Sequence, residues 1–174
     1  MNTHYKLRSI RRLLVVFIVC LFLSGLTAIP IDLELQFIRR SIPQANGFYE
    51  WIDRVLSGYA ETKAKYPFLM YGYDWLAFAH FILALLFIGP YRDPVKNVWV
   101  IQFGMIASAL VIPFAFIAGY FRGIPVGWSV IDCLFGIIGF WLLRVCLFRI
   151  QSMKDYESRS YYITQAELLS AARL

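Results

Sequence analysis

The sequence predicts an all-α fold: a four-helix transmembrane bundle with an extracytoplasmic amphipathic segment and a short cytoplasmic C-terminal helix. Three observations carry this prediction. The chain is 60% hydrophobic with a mean hydropathy of +0.61, whereas a soluble domain sits nearer about 45–50% apolar. Four apolar runs, at about 13–29, 72–89, 94–118 and 126–148, are each long enough to cross a bilayer. The basic residues are spread over the short connections and the chain ends rather than gathered in one patch. Residues 1–174 therefore read as one integral membrane domain, with an outer segment at 30–71 and an inner tail at 149–174.

The chain opens with a basic stretch containing Lys6, Arg8, Arg11 and Arg12, and the first apolar run ends at Pro30. Basic-then-apolar is also how a secretory signal begins. This run is long for a signal core, and Leu26-Thr27-Ala28 is a poor cleavage site, which favours an uncleaved first helix. The outer segment is divided by Ser41 and Pro43 and then by Asn46-Gly47. Over 48–66, helical spacing puts Phe48, Trp51, Ile52, Val55, Leu56 and Tyr59 on one face, with Glu50, Asp53, Arg54, Glu61, Lys63 and Lys65 largely opposite. Such a helix suits either a membrane interface or the outer ends of the spans.

In the second run, Tyr73, Ala77, His80 and Ala84 share a face. Asp93 and Pro94 read as the N-cap and first residue of the third helix. Pro113 lies inside that helix and should free the carbonyl of Ala109. In the fourth run Ser129, Asp132, Gly136 and Gly139 fall on one side, a small-residue stripe against which another helix can pack closely. Beyond Phe148, the capping-box pattern Thr164-Gln165-Ala166-Glu167 predicts a short separate helix with Tyr162, Ala166 and Leu169 as its apolar stripe.

Four spans put both termini on one side. With the termini inside, eleven of the seventeen Lys and Arg residues are inner, and Arg39, Arg40, Arg54, Lys63, Lys65 and Arg122 are outer. The inner segments then net +7 and the outer ones zero, as the positive-inside rule requires. This argues for a bacterial inner membrane with cytoplasmic termini. The net charge of +6 thus reports topology, and nucleic-acid binding is not indicated.

In that orientation His80 lies about 8 Å, and Asp132 about 6–7 Å, inside the outer ends of their helices. Pro113 enters the same layer, with Asp74, Tyr73 and Arg122 at its outer boundary. The sequence therefore places a candidate polar pocket at His80, Asp132, Asp74, Tyr73, Arg122 and Ser129. It expects Gly136, Gly139 and Pro113 to shape the helix packing. A carboxylate inside a span is a functional candidate by default. The pocket could lock helices together, or it could receive a lipid head group, a small ligand or a proton.

One His and one carboxylate fall short of a zinc ligand set, and His4 and His80 sit on opposite sides, which excludes paired haem ligation. No cofactor or metal is expected. Cys20, Cys133 and Cys146 all lie in apolar runs and read as small packed side chains. Nucleophile elbows, metalloprotease helices, phosphate loops and dinucleotide fingerprints are all missing. The leading expectation is a non-enzymatic accessory or assembly subunit, partnered by lipid and by other membrane subunits or by itself. The alternative is a small enzyme or transporter acting at the outer pocket.

Overall fold

A computed structural model describes residues 3–44 and 46–171, with side chains for 5–44, 46–156, 161 and 162. It is all-helical, and four of its helices are long and apolar enough to span a membrane: Tyr5–Thr27, Pro67–Arg92, Val98–Arg122 and Val126–Tyr156. The protein is membrane-embedded. Helices α1 (Thr3–Thr27), α2 (Ile31–Ser41), α3 (Gly47–Lys65), α4 (Tyr71–Leu86), α5 (Ile88–Arg92), α6 (Val98–Arg122) and α7 (Val126–Ala171) follow in order, with one 3-10 turn at Pro67–Met70. The chain forms two compact units, one of residues 1–17 with 86–174 and one of residues 18–85.

In the first unit α6 and α7 make the broadest contact. On α7, Ser129, Cys133, Gly136, Gly139, Leu143, Cys146, Ile150 and Met153 are buried, at intervals of three and four residues. That spacing lays one continuous seam along the helix. Glycine is what lets the backbones approach. A Cβ at Gly136 would stand 2.6 Å from the Ser108 carbonyl oxygen, and one at Gly104 would stand 2.5 Å from Phe87 Cζ. Phe87 fills the space this leaves and meets the Phe17 ring at 4.6 Å.

The basic residues at the start of α1 are part of this packing. Arg11 donates from Nε to the Tyr91 carbonyl and from Nη2 to the Arg92 carbonyl, both at 3.2 Å. Lys6 Nζ donates to the Ser152 carbonyl at 3.2 Å, and Arg149 donates to Ser9 Oγ. The expected polar leader is thus helical from Thr3 onward.

Three boundaries differ from expectation. Helix α4 breaks at Phe87 because Pro90, four residues beyond Leu86, has no N–H to offer the Leu86 carbonyl. Helix α6 starts at Val98 rather than Pro94. Asp93 Oδ1 instead accepts from the Lys96 N–H at 3.0 Å and closes a separate turn, while Asn97 Nδ2 donates to the carbonyls of Gly89 and Asp93 at 3.3 and 2.9 Å. The Lys96 N–H also holds the Asp93 carboxyl below its usual range. At the carboxyl end α7 continues unbroken to Ala171, so no new helix starts at Thr164. The side chains of Thr164, Glu167, Ala166 and Leu169 lie outside the described residues.

In the second unit α2 and α3 pack side by side. Asn46 Oδ1 accepts from the Phe48 N–H at 3.0 Å and caps α3. Ion pairs of 2.9 Å between Arg39 and Asp53 and 3.0 Å between Lys63 and Asp32 tie the two helices at both ends. Ile52 is buried, and Trp51, Val55, Leu56 and Tyr59 are half-buried. The second half of α1 packs on α4 in the same unit. Phe22 and Phe81 stack at 5.1 Å, and a Cβ at Gly25 would lie 2.9 Å from the Ala77 carbonyl oxygen.

Candidate functional site

Where the chain turns from α6 to α7, the two helices part around a cleft of about 330 Å³. Val111, Phe114, Ala115, Ala118, Gly119, Arg122, Ile124, Ser129 and Asp132 line it. The residues that turn the chain from one helix to the other explain its position. Gly123, at φ 65°, ends α6 in the left-handed conformation that costs a glycine little. The Ile124 N–H then bonds the Gly119 carbonyl at 2.9 Å. Pro125 opens α7, its carbonyl accepting from Trp128 and Ser129. Ser129 is buried against Gly119, where a Cβ would stand 2.7 Å from Ser129 Oγ.

Asp132 and Arg122 both reach this cleft, yet no ion pair joins them among the described residues. Asp132 is also exposed, whereas Ser129, Gly136 and Gly139 are buried. At helical spacing Asp132 stands within about 60° of Ser129 and about 40° of Gly136, beside the buried seam, and its exposed carboxylate lies in the lining of the cleft. Cys133 Sγ approaches the Ile112 carbonyl, beside Pro113, at 3.9 Å. Helix α6 remains continuous through Pro113.

His80, Asp74 and Tyr73 belong to the other unit. His80 Nδ1 lies 2.8 Å from the Leu76 carbonyl. A carbonyl only accepts, so Nδ1 carries the proton in this contact. The His80 Cβ borders the space at Gly25, while Ala77 and Ala84 on the same face are buried. Tyr73 meets Tyr59 edge-on at 5.7 Å. Asp74 lies with Tyr71, Trp75 and Phe78 around a surface cleft of about 240 Å³.

A further cleft was not anticipated from the sequence. It lies within the α2–α3 pair, measures about 770 Å³, and is lined by Gln36, Arg39, Arg40, Tyr49, Leu56 and Ala60 together with the Ile42–Gln44 connection. Its signal was present in the adjacent Arg39 and Arg40, with Gln36 and Gln44 nearby in the sequence. Only the pairing of the two helices brings them to one concavity. Among the described residues no group of three His, Cys, Asp or Glu side chains could hold a metal ion. No family model, curated protein or solved structure matches the chain.

Proposed function

We propose that this chain is a non-enzymatic accessory or assembly subunit that docks, through the α6–α7 surface at Asp132, onto another membrane-spanning chain. One observation carries the reading. Asp132 lies in a membrane-spanning helix, exposed and without an ion pair or hydrogen bond among the described residues. A carboxylate facing hydrocarbon is costly, and a neighbouring helix bearing a cation or hydrogen-bond donor removes that cost. The small side chains beside it, Ala115, Ala118 and Gly119, allow such a helix to come close. The basic distribution supports a topology with both termini in the cytoplasm of a bacterial cell. The amphipathic face of α3 offers a further surface for lipid or partner at the outer side.

Mild-detergent extraction followed by native electrophoresis tests this reading. The native chain should migrate with a stoichiometric partner or as a defined oligomer. Asp132→Leu should migrate alone, with its helical content unchanged. Equal assembly of both forms would reject the docking role. The 330 Å³ cleft supports the competing reading, a ligand-handling protein for a lipid, a small molecule or a proton. That reading expects a chain active without any partner.

A further inference from the structure

We propose that the α2–α3 cleft seats the phosphate-bearing head group of an anionic membrane lipid. This inference is independent of the docking role of Asp132 and rests on a different unit of the chain. Two guanidinium groups, two side-chain amides and a phenol converge on the cleft, from Arg39, Arg40, Gln36, Gln44 and Tyr49. Arg39 is fixed in place: its Nε meets Asp53 Oδ1 at 2.9 Å and Tyr49 OH at 3.3 Å, and its guanidinium carbon lies 5.7 Å from the centre of the Tyr49 ring. Asp53 therefore offsets one of the two positive charges.

Arg40 is different. It is exposed and lines the same cleft, and no ion pair or hydrogen bond engages it among the described residues. No carboxylate lines the cleft, so its excess charge is positive. A guanidinium fork with neighbouring amide donors matches a phosphate oxygen set.

The surroundings select a lipid over a soluble anion. Leu33 and Phe37 lie seven and three residues before Arg40, on the same face of α2, and are 65% and 72% exposed. Helix α2 begins four residues after the membrane-spanning α1 ends, which keeps it at the bilayer boundary. Apolar side chains at acyl-chain depth beside a basic head-group site are the pattern of an interfacial lipid contact.

Binding to the purified full-length protein in neutral detergent micelles tests the assignment, with phosphatidylglycerol, phosphatidylcholine and inorganic phosphate as separate probes. Phosphatidylglycerol should bind more tightly than phosphatidylcholine. Arg40→Gln should weaken it about fivefold, the scale of one basic residue near an anionic surface. Phe37→Ser should also weaken it. Asp132→Leu should leave it unchanged, which separates this result from the fate of the docking role. Because Arg40 is exposed and unpartnered, Arg40→Gln should melt at the native temperature, and this excludes misfolding as the cause. Equal binding of the two lipids, or indifference to Arg40→Gln, overturns the assignment. So does inorganic phosphate displacing phosphatidylglycerol while Phe37→Ser has no effect, because the site would then be one for a soluble anion.

Discussion

Asp132 and Cys133 are neighbours in sequence, and the helical turn between them separates an exposed carboxylate from a buried thiol. The consequence is a residue that opposes the stability of the isolated chain. Replacing it with an apolar side chain should raise the melting temperature of the purified monomer, a gain of up to about 2 kcal/mol for removing a carboxylate from a hydrocarbon surface. The same Asp132→Leu change should abolish assembly on a native gel. Stability that rises as assembly falls is the mark of a residue kept for function. Unchanged melting would mean the carboxylate is already satisfied by water in the cleft. His80 is placed differently, since its Nδ1 proton is committed to Leu76 and its backbone face is set close to Gly25.

Helix pairs in this protein are held by close approach in the spans and by charge outside them. At Gly136 the nearest obstacle to a Cβ is the Ser108 carbonyl oxygen, which is backbone and cannot swing aside. Gly136→Ala should therefore destabilise the α6–α7 pair by about 1–3 kcal/mol in a detergent-unfolding titration. Gly127→Ala is the control, because nothing lies within 4 Å of its Cβ position. It should be neutral or slightly stabilising, as expected for alanine replacing glycine in a helix. In the α2–α3 pair the Lys63 hydrogen bond lowers the Asp32 carboxyl below its ordinary 3.8, and the Asp32 contact raises the Lys63 ammonium above its ordinary 10.5. The Asp32 contribution is thus present above pH 3.8 and lost as pH falls through its depressed value. The Lys63 contribution is present below pH 10.5 and lost as pH rises through its elevated value. Spin labels on Glu34 and Glu61 should report a constant separation from pH 5 to 9, widening only toward either extreme. Widening near neutral pH would mean that other groups hold the pair.

At the scale of the whole chain, the four spans and the charge distribution predict a topology that reporter fusions can check. Periplasmic reporters fused after Ser57 should be active, and those fused after Lys96 or Ser158 should be silent. An active fusion after Lys96 would overturn the four-span arrangement. The basic residues have two parts in this. By the positive-inside rule they are expected to bias orientation during insertion, and in the folded chain Arg11 bonds the Tyr91 and Arg92 carbonyls at the end of α5 while Lys6 reaches the Ser152 carbonyl within α7. Helix α7, 46 residues long, would extend about 69 Å, more than twice the hydrocarbon thickness, so its last part projects beyond the bilayer.

Sequence alone determined the all-helical class, the presence of four spans and their approximate extents. A bilayer selects segments by summed hydropathy, and that sum needs no knowledge of neighbours. It also placed the start of α3 within a residue, after the break at Asn46-Gly47, because turn and cap residues act locally. Tertiary structure decided the rest. Asp132 shares the face of Ser129 and Gly136 yet is exposed where they are buried, because α6 and α7 part around the cleft there, and periodicity along one helix does not specify where its neighbour parts from it. The start of α6 at Val98 was decided by the side chains of Asp93 and Asn97, which bond a turn that a helix-cap pattern equally describes. The α6–α7 and α2–α3 clefts exist only between helices, so Gln36, Arg39 and Arg40 of α2 became part of a concave site when α3 folded against them.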